Sequence, residues 1–269
     1  MEIVLKDICY RHKCKKVLDL INLKIKDNVI TGITGDNKTL LAEIIDSLTP
    51  CSYGEVRIGK KVINEKNLLS IRQSVSLVKQ NAINQFFTNT IEEEMFFLVE
   101  RLKFKHKDLP KKIIKSLSLV GLDESYLKKE IKTLASGQQK LLQIALSLIY
   151  NPDTIIFDEP FLVLDYDNKK KIIKLIKLLK EKYNKTIIIL SNDSNLLYEL
   201  TEDLVIIKKG KVVASGKTEK LYQDVELLTK HKITVPHLVM FTYQAKRKKV
   251  KLNYHKDIRD LIKDVYKHV

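Results

Sequence analysis

The chain is short of cysteine, short of arginine and without a long apolar run, and each shortage removes a class of protein. The three cysteines, Cys9, Cys14 and Cys51, lack metal-type spacing and leave one thiol over after any pairing, which fits a reducing cytoplasm. No stretch approaches the roughly 20 apolar residues that cross a bilayer, and MEIVLKD does not have the pattern of a secretory signal. Internal repeats and low-complexity linkers are also missing. What remains is a chain of 269 residues, 44% hydrophobic and 30% charged, enough for one large domain or a domain with an appendage. Its net charge of +16 is mostly lysine. That sign suits nucleic acid or an anionic membrane surface. Lysine, isoleucine and asparagine are abundant together, however, as AT-rich codons would make them, so no nucleic-acid partner is expected.

One stretch organises the chain. Leu134 to Asp165 reads LASGQQKLLQIALSLIYNPDTIIFDEPFLVLD: a polar turn, an amphipathic helix, an Asn-Pro break, a buried strand and two adjacent carboxylates. The apolar run from Thr154 delivers Asp158 and Glu159 to the C-terminal edge of a strand, where open α/β sheets bind ligands. A carboxylate there can orient magnesium and its waters, and a second can accept a proton from an attacking water.

A second unit lies upstream. VITGITGDNKTLL, from Val29 to Leu41, is a strand, a Gly-containing turn and a helix that starts at Lys38-Thr39. Gly32 to Thr39, with Gly35 inside it, fits the phosphate-loop spacing G-x-x-x-x-G-K-[ST] except that Asn37 stands in place of the second glycine. In such a loop, successive N–H groups and the helix N-terminus hold phosphate, the Lys reaches the β and γ oxygens, and the Thr hydroxyl ligates magnesium. Asn tolerates positive φ, but its side chain intrudes where backbone should approach phosphate. An ordinary strand-to-helix turn also explains this pattern taken alone.

The remaining chain alternates in the same way. β-type alternation marks 3–8 and 17–25, and 53–79 is β-rich, ending in Val75–Lys79 just before Gln80. Helical spacing covers about 90–134 with breaks at Leu109-Pro110 and Gly121. A Lys-faced helix spans 168–183 and a buried strand Thr186–Leu190 runs into Ser191-Asn192-Asp193. A hairpin turns at Lys209-Gly210-Lys211, and one helix covers 217–230. The tail 231–269 holds two helices, the second near 257–268 with Ile258, Leu261, Ile262 and Val265 on one face, suited equally to packing and to dimer contact.

In this order the motifs resemble the ATP-binding cassette (ABC) family: phosphate loop at Gly32–Thr39, Gln loop at Gln80, signature LASGQ at Leu134–Gln138, Walker B strand IIFDEP, D-loop Leu162–Asp165 and the switch position in Ser191–Asp193. The flanks VKQNAINQFFTNTIEEEMFF and VASGKTEKLYQDVELL resemble ATPases of energy-coupling factor (ECF) transporters and their cobalt-type relatives. The resemblance implies an α/β P-loop NTPase fold of the ABC nucleotide-binding type: a RecA-like core, an N-terminal antiparallel β subdomain and a helical subdomain at about 83–150. Together these would fill 1–230, with 231–269 as a helical extension. It implies ATP and Mg2+ as cofactors and a composite site between two head-to-tail subunits at the cytoplasmic face of a membrane. A transmembrane coupling subunit and a substrate-binding membrane protein would complete an importer for a vitamin or metal ion.

By the same resemblance Lys38 would hold the β and γ phosphates, and Thr39, Asp158 and Gln80 would serve the metal. Glu159 would be the general base, and Gln80 would also sense the γ-phosphate. Leu134, Ala135, Ser136, Gly137, Gln138 and Asp165 would face the partner's nucleotide, and adenine would stack on Tyr10 or His12. Four departures bear on activity. The switch histidine is Asn192, Asn37 replaces a glycine, Ala135 and Ser136 alter the signature, and the phosphate loop is about three residues short. Each lost transition-state contact commonly lowers a rate by about 10²–10³-fold. The expectation is a heterodimer in which this chain's own site is impaired and the opposite site does most of the hydrolysis. The alternatives are a non-catalytic nucleotide-binding or scaffold subunit and a soluble ABC protein acting on nucleic acid.

Overall fold

A computed structural model describes residues 1–13, 15–81, 86–104, 107–162 and 164–267. Cys14, residues 82–85 of the Gln-loop flank, Val163 in the D-loop and His268 lie outside them.

Two sheets carry the chain. Strands β1 (Ile3–His12), β2 (Lys15–Ile25), β4 (Tyr53–Ile58) and β5 (Lys61–Val62) form an antiparallel sheet in the order β2-β1-β4-β5. The larger sheet takes β3 (Ile30–Gly35), β6 (Val75–Val78), β7 (Thr154–Asp158), β8 (Thr186–Leu190), β9 (Asp203–Lys208) and β10 (Lys211–Lys217) in the order β10-β9-β3-β8-β7-β6. β6, β7, β8, β3 and β9 run parallel, and β10 returns antiparallel on β9. Every residue of β7 and β8 is buried, as expected of parallel strands covered on both faces.

Helices cover the larger sheet and extend beyond it. α1 (Lys38–Ile45) follows β3, and α2 (Leu68–Ser74) precedes β6. Sequence periodicity gave 53–79 as β-rich. The helix at 68–74 departs from that because Ile71 is its single buried anchor, too sparse a signal to show a helical period. α3 (Ile91–Arg101), α4 (Leu109–Leu119) and α5 (Ser136–Leu148) follow in the 90–148 segment. Thr90 and Glu93 form a capping box at the start of α3, and Pro110 sits in the first turn of α4, where its missing N–H loses nothing.

α6 (Tyr166–Glu181) links β7 to β8, and α7 (Ser194–Leu200) links β8 to β9. The single helix expected over 217–230 is two, α8 (Thr218–Gln223) and α9 (Val225–Lys230), because Asp224 caps the second through the N–H of Leu227. α10 (His237–Arg247) and α11 (Ile258–Tyr266) close the chain. Val239 of α10 belongs to the same buried cluster as Leu117 of α4 and Phe157 of β7, so one core runs from the 90–148 helices to the tail.

The two sheets are joined near the start of α1. The Gly210 carbonyl accepts from the N–H of Asp19 at 2.8 Å, and a Cβ at Gly210 would lie 2.3 Å from Val17 O. Asn37 Nδ2 donates to that same Val17 carbonyl at 3.1 Å.

Candidate functional site

Parallel pairing sets the site. Asp158 is in register with Leu190 across β7 and β8, and Ile33 of β3 with the same Leu190. The C-terminal ends of three neighbouring strands therefore meet, and each feeds a polar turn: Asp36-Asn37 after β3, Glu159 after β7 and Ser191-Asn192 after β8. Thr39 Oγ1 donates to Asp158 Oδ2 at 2.9 Å, and Lys38 Nζ lies 3.2 Å from Glu159 Oε1. Ser191 Oγ donates to Glu159 Oε2 at 2.9 Å, and the N–H of Asn192 to Glu159 Oε1 at 3.2 Å. Glu159 sits at φ 43°, in the left-handed region, and that strained turn aims its carboxylate back at Lys38. Asn192 Oδ1 accepts from the N–H of Gly35 at 3.3 Å and from Thr34 Oγ1 at 3.4 Å.

The residues expected to form one site thus divide. Gly35, Asn37, Lys38, Thr39, Asp158, Glu159 and Asn192 converge. Gly32 instead lies inside β3, paired with Ile189 and Leu204, and a Cβ on it would meet Leu197, Thr201 and Leu204. Asn37 takes the left-handed conformation expected of it, φ 56°, but its side chain points to Val17 rather than into the loop. Gln80 is exposed beyond the end of β6. Of the two adenine candidates, Tyr10 packs against the core of the antiparallel sheet and His12 is exposed at the β1–β2 turn.

The signature group is a separate surface. Ala135, Ser136 and Asp165 are exposed, while Leu134 and Gly137 are buried. Gln138 Oε1 accepts from the N–H of Ala135 at 3.1 Å, and Gln138 Nε2 donates to Tyr126 Oη at 3.1 Å. Asp165 caps α6, accepting from the N–H of Asn168 at 2.7 Å and from its Nδ2 at 2.8 Å. A Cβ on Gly137 would lie 2.5 Å from Asn168 Nδ2, so glycine there lets the start of α5 close on the start of α6. LASGQ and the D-loop aspartate are held as one presenting face.

Sequence reasoning missed two members. Ser191 buttresses Glu159, and Lys140 of α5 donates from a buried position to the carbonyl oxygens of Lys79 and Gln80. The signal for Lys140 was a lone lysine on the apolar side of QQKLLQIAL.

Three comparisons bear on this geometry. The family model described as ABC transporter matches residues 18–162. The chain is 30% identical to the energy-coupling factor transporter ATP-binding protein EcfA2 of Enterococcus faecalis, over 82% of this chain and 79% of that one. The chain belongs to the ABC transporter family. Within it, the chain is also 31% identical to EcfA1 of Ligilactobacillus salivarius, over 79% and 76% of the two chains, so the ECF transporter ATP-binding proteins are its group. The solved structure of cbiO1 from Clostridium perfringens, titled as part of the ABC transporter complex cbiONQ, has a TM-score of 0.74 at 24% identity over 90% of this chain and 98% of its own, and shows the shared fold. The ATP-binding cassette MJ0796, solved as a dimer bound to ADP and Pi, matches at TM-score 0.72 and 26% identity, over 80% and 98% of the chains.

ABC membership implies ATP and, typically, Mg2+. A hard cation fits. Asp158 Oδ1 is buried without a hydrogen-bond partner beside the Thr39 hydroxyl, an oxygen-rich corner of the kind magnesium takes. Burial, opposed by the Thr39 hydrogen bond, pushes the Asp158 carboxyl above the usual aspartate range. A triphosphate does not fit this chain's own loop. β3 stays paired with β9 through Gly35, and α1 begins at Lys38, which leaves only Asp36 and Asn37 between them.

Proposed function

We propose that this chain is the degenerate ATP-binding subunit of an ECF-type importer, paired head to tail with a second ABC ATPase beneath membrane proteins that take up a vitamin or metal ion. The supporting observation is the division of the site. One face presents LASGQ and Asp165 outward, suited to complete a partner's nucleotide site. The other gathers Lys38, Thr39, Asp158 and Glu159 around a shortened loop. The tail supports pairing as well, since Phe241, Ile258, Ile262 and Tyr266 expose apolar surface along a groove between α10 and α11. Among the described residues no helix is long and apolar enough to cross a membrane, so attachment to the cytoplasmic face would come through partners.

In the paired assembly the partner's loop would carry the nucleotide, and this chain's Ala135, Ser136, Gly137 and Gln138 would lie over it. The first turn of α5 offers N–H groups and the positive end of a helix dipole to an anion placed there. The test is purification of the tagged chain from membranes, followed by ATPase assay of the complex. A second ABC subunit and membrane proteins should accompany it. Glu159→Gln should lower turnover less than about 3-fold, and the equivalent change in the partner by about 10²-fold or more. Equal large losses from both would remove the asymmetry.

A further inference from the structure

Granted the subunit assignment above, we infer that this chain's own loop binds no nucleoside triphosphate: Lys38 is the cation of a standing internal ion pair with Glu159, and the head-to-tail pair holds one nucleotide. That nucleotide lies on the partner's loop under this chain's LASGQ.

Length is the first ground. A phosphate cradle needs several successive N–H groups turned toward one point at a helix N-terminus. With β3 paired through Gly35↔Ile207 and α1 starting at Lys38, only Asp36 and Asn37 lie between strand and helix to add loop N–H groups to those of the first turn of α1. The N–H of Gly35 already donates to Asn192 Oδ1, and that of Asp36 to Ile207 O at 2.9 Å.

Charge is the second. Asp36 Oδ1 accepts from Lys208 Nζ at 3.2 Å and Oδ2 from the N–H of Lys209 at 3.1 Å, so a carboxylate is fixed within the loop itself. Those bonds, led by the Lys209 N–H, hold it below the usual aspartate range and keep it ionised. A triphosphate would meet this charge, and the two nearby cations are engaged: Lys208 with Asp36 itself and Lys38 with Glu159. The Lys38 and Glu159 side chains are only 11% and 19% exposed, and both Glu159 oxygens are occupied by Lys38, Ser191 and Asn192.

The third ground is that the loop is tied down on both sides. Asn37 Nδ2 fastens it to Val17 of the antiparallel sheet, and Asn192 fastens the end of β3 to the turn after β8. At Gly35, φ is +102° and a Cβ would lie 1.9 Å from Ile207 O, so the backbone has no room to swing toward β9. Opening a cradle would require unpairing β3 from β9.

Two measurements on the full-length chain decide the matter. In equilibrium dialysis with Mg·ATP, the wild-type chain should show no saturable binding up to about 1 mM. A variant with Gly-Ser-Gly inserted between Asn37 and Lys38 should gain it. Thermal unfolding covers the case in which the insertion does not fold. Lys38→Met should lower the melting temperature by about 2–4 °C without nucleotide, and Mg·ATP should leave the wild-type melting temperature unmoved. Saturable binding of one ATP per wild-type chain, with a melting-temperature rise that Lys38→Met abolishes, would overturn the inference. The same result in a chain that still purifies with its ABC partner would leave the subunit assignment standing.

Discussion

Lys140 Nζ donates to the carbonyl oxygen of Gln80 at 3.3 Å, from a position on α5 that is 4% exposed. The helix that begins with the signature is thereby tied to the residue that opens the Gln loop. Burial pulls the ammonium down to about 8, and the charge of Asp158 works against that shift. Between about pH 8 and 10.5 the unfolded chain binds a proton that the folded chain has released, so stability from this group rises with pH across that window. Urea unfolding at pH 7.5, 9 and 10 should show wild type gaining on Lys140→Met as pH rises. A difference constant with pH would show that the lysine is not buried as a cation at neutral pH.

Asp46, at the end of α1, has the opposite sign. It is 8% exposed, and burial raises its carboxyl to about 8, with Arg72 and Lys79 opposing. The folded state holds a proton there between about pH 4 and 8 that the unfolded state gives up. Its contribution is therefore full below about pH 4 and is lost as pH climbs through 8. Asp46→Asn mimics the protonated form, so at pH 7.5 it should be more stable than wild type by more than about 1 kcal/mol. The margin should shrink toward pH 4.5. Denaturant midpoints at both pH values check this.

Gly35 and Gly216 make a matched pair of substitutions. An alanine at Gly35 meets Ile207 O and a left-handed φ, whereas nothing lies within 4 Å of a Cβ at Gly216. Gly35→Ala should destabilise by about 2–3 kcal/mol or more, and Gly216→Ala by less than about 1 kcal/mol. Comparable effects at the two sites in thermal melts would contradict the close approach of β3 and β9.

The groove between α10 and α11, about 540 Å³ and lined by Phe241, Ile258, Leu261, Ile262, Val265 and Tyr266, offers a fourth test. Ile262 is 47% exposed, so Ile262→Glu should change the stability of the single chain by no more than about 0.5 kcal/mol. If this face packs on the partner ABC subunit, the same change should weaken co-purification of that subunit at least about 10-fold. Unchanged recovery would mean the groove lies outside the interface.

What could be read from the residues alone follows a physical line. The Thr154–Phe157 run had to be a strand buried on both faces that delivers Asp158 and Glu159 to its C-terminal edge; β7, buried through Asp158, does both. The signature and the hairpin at Gly210 were equally local, because each is set by residues within a few positions of one another. The phosphate loop was not local. Gly32 to Thr39 fits a loop by spacing, yet Gly32 to Gly35 belongs to β3, since pairing with β9, whose partner residues lie more than 170 positions away, decides where the strand stops. The turn of Asn37 toward Val17, the grip of Asn192 on Gly35 and the reach of Lys140 to Gln80 are long-range contacts too. Sequence by itself determined the ABC order of motifs and the acids at the sheet edge, because periodicity and short spacings encode them. Only the tertiary structure decided that Lys38 faces Glu159 across a loop of two residues, because strand register and side-chain direction arise when distant segments pack together.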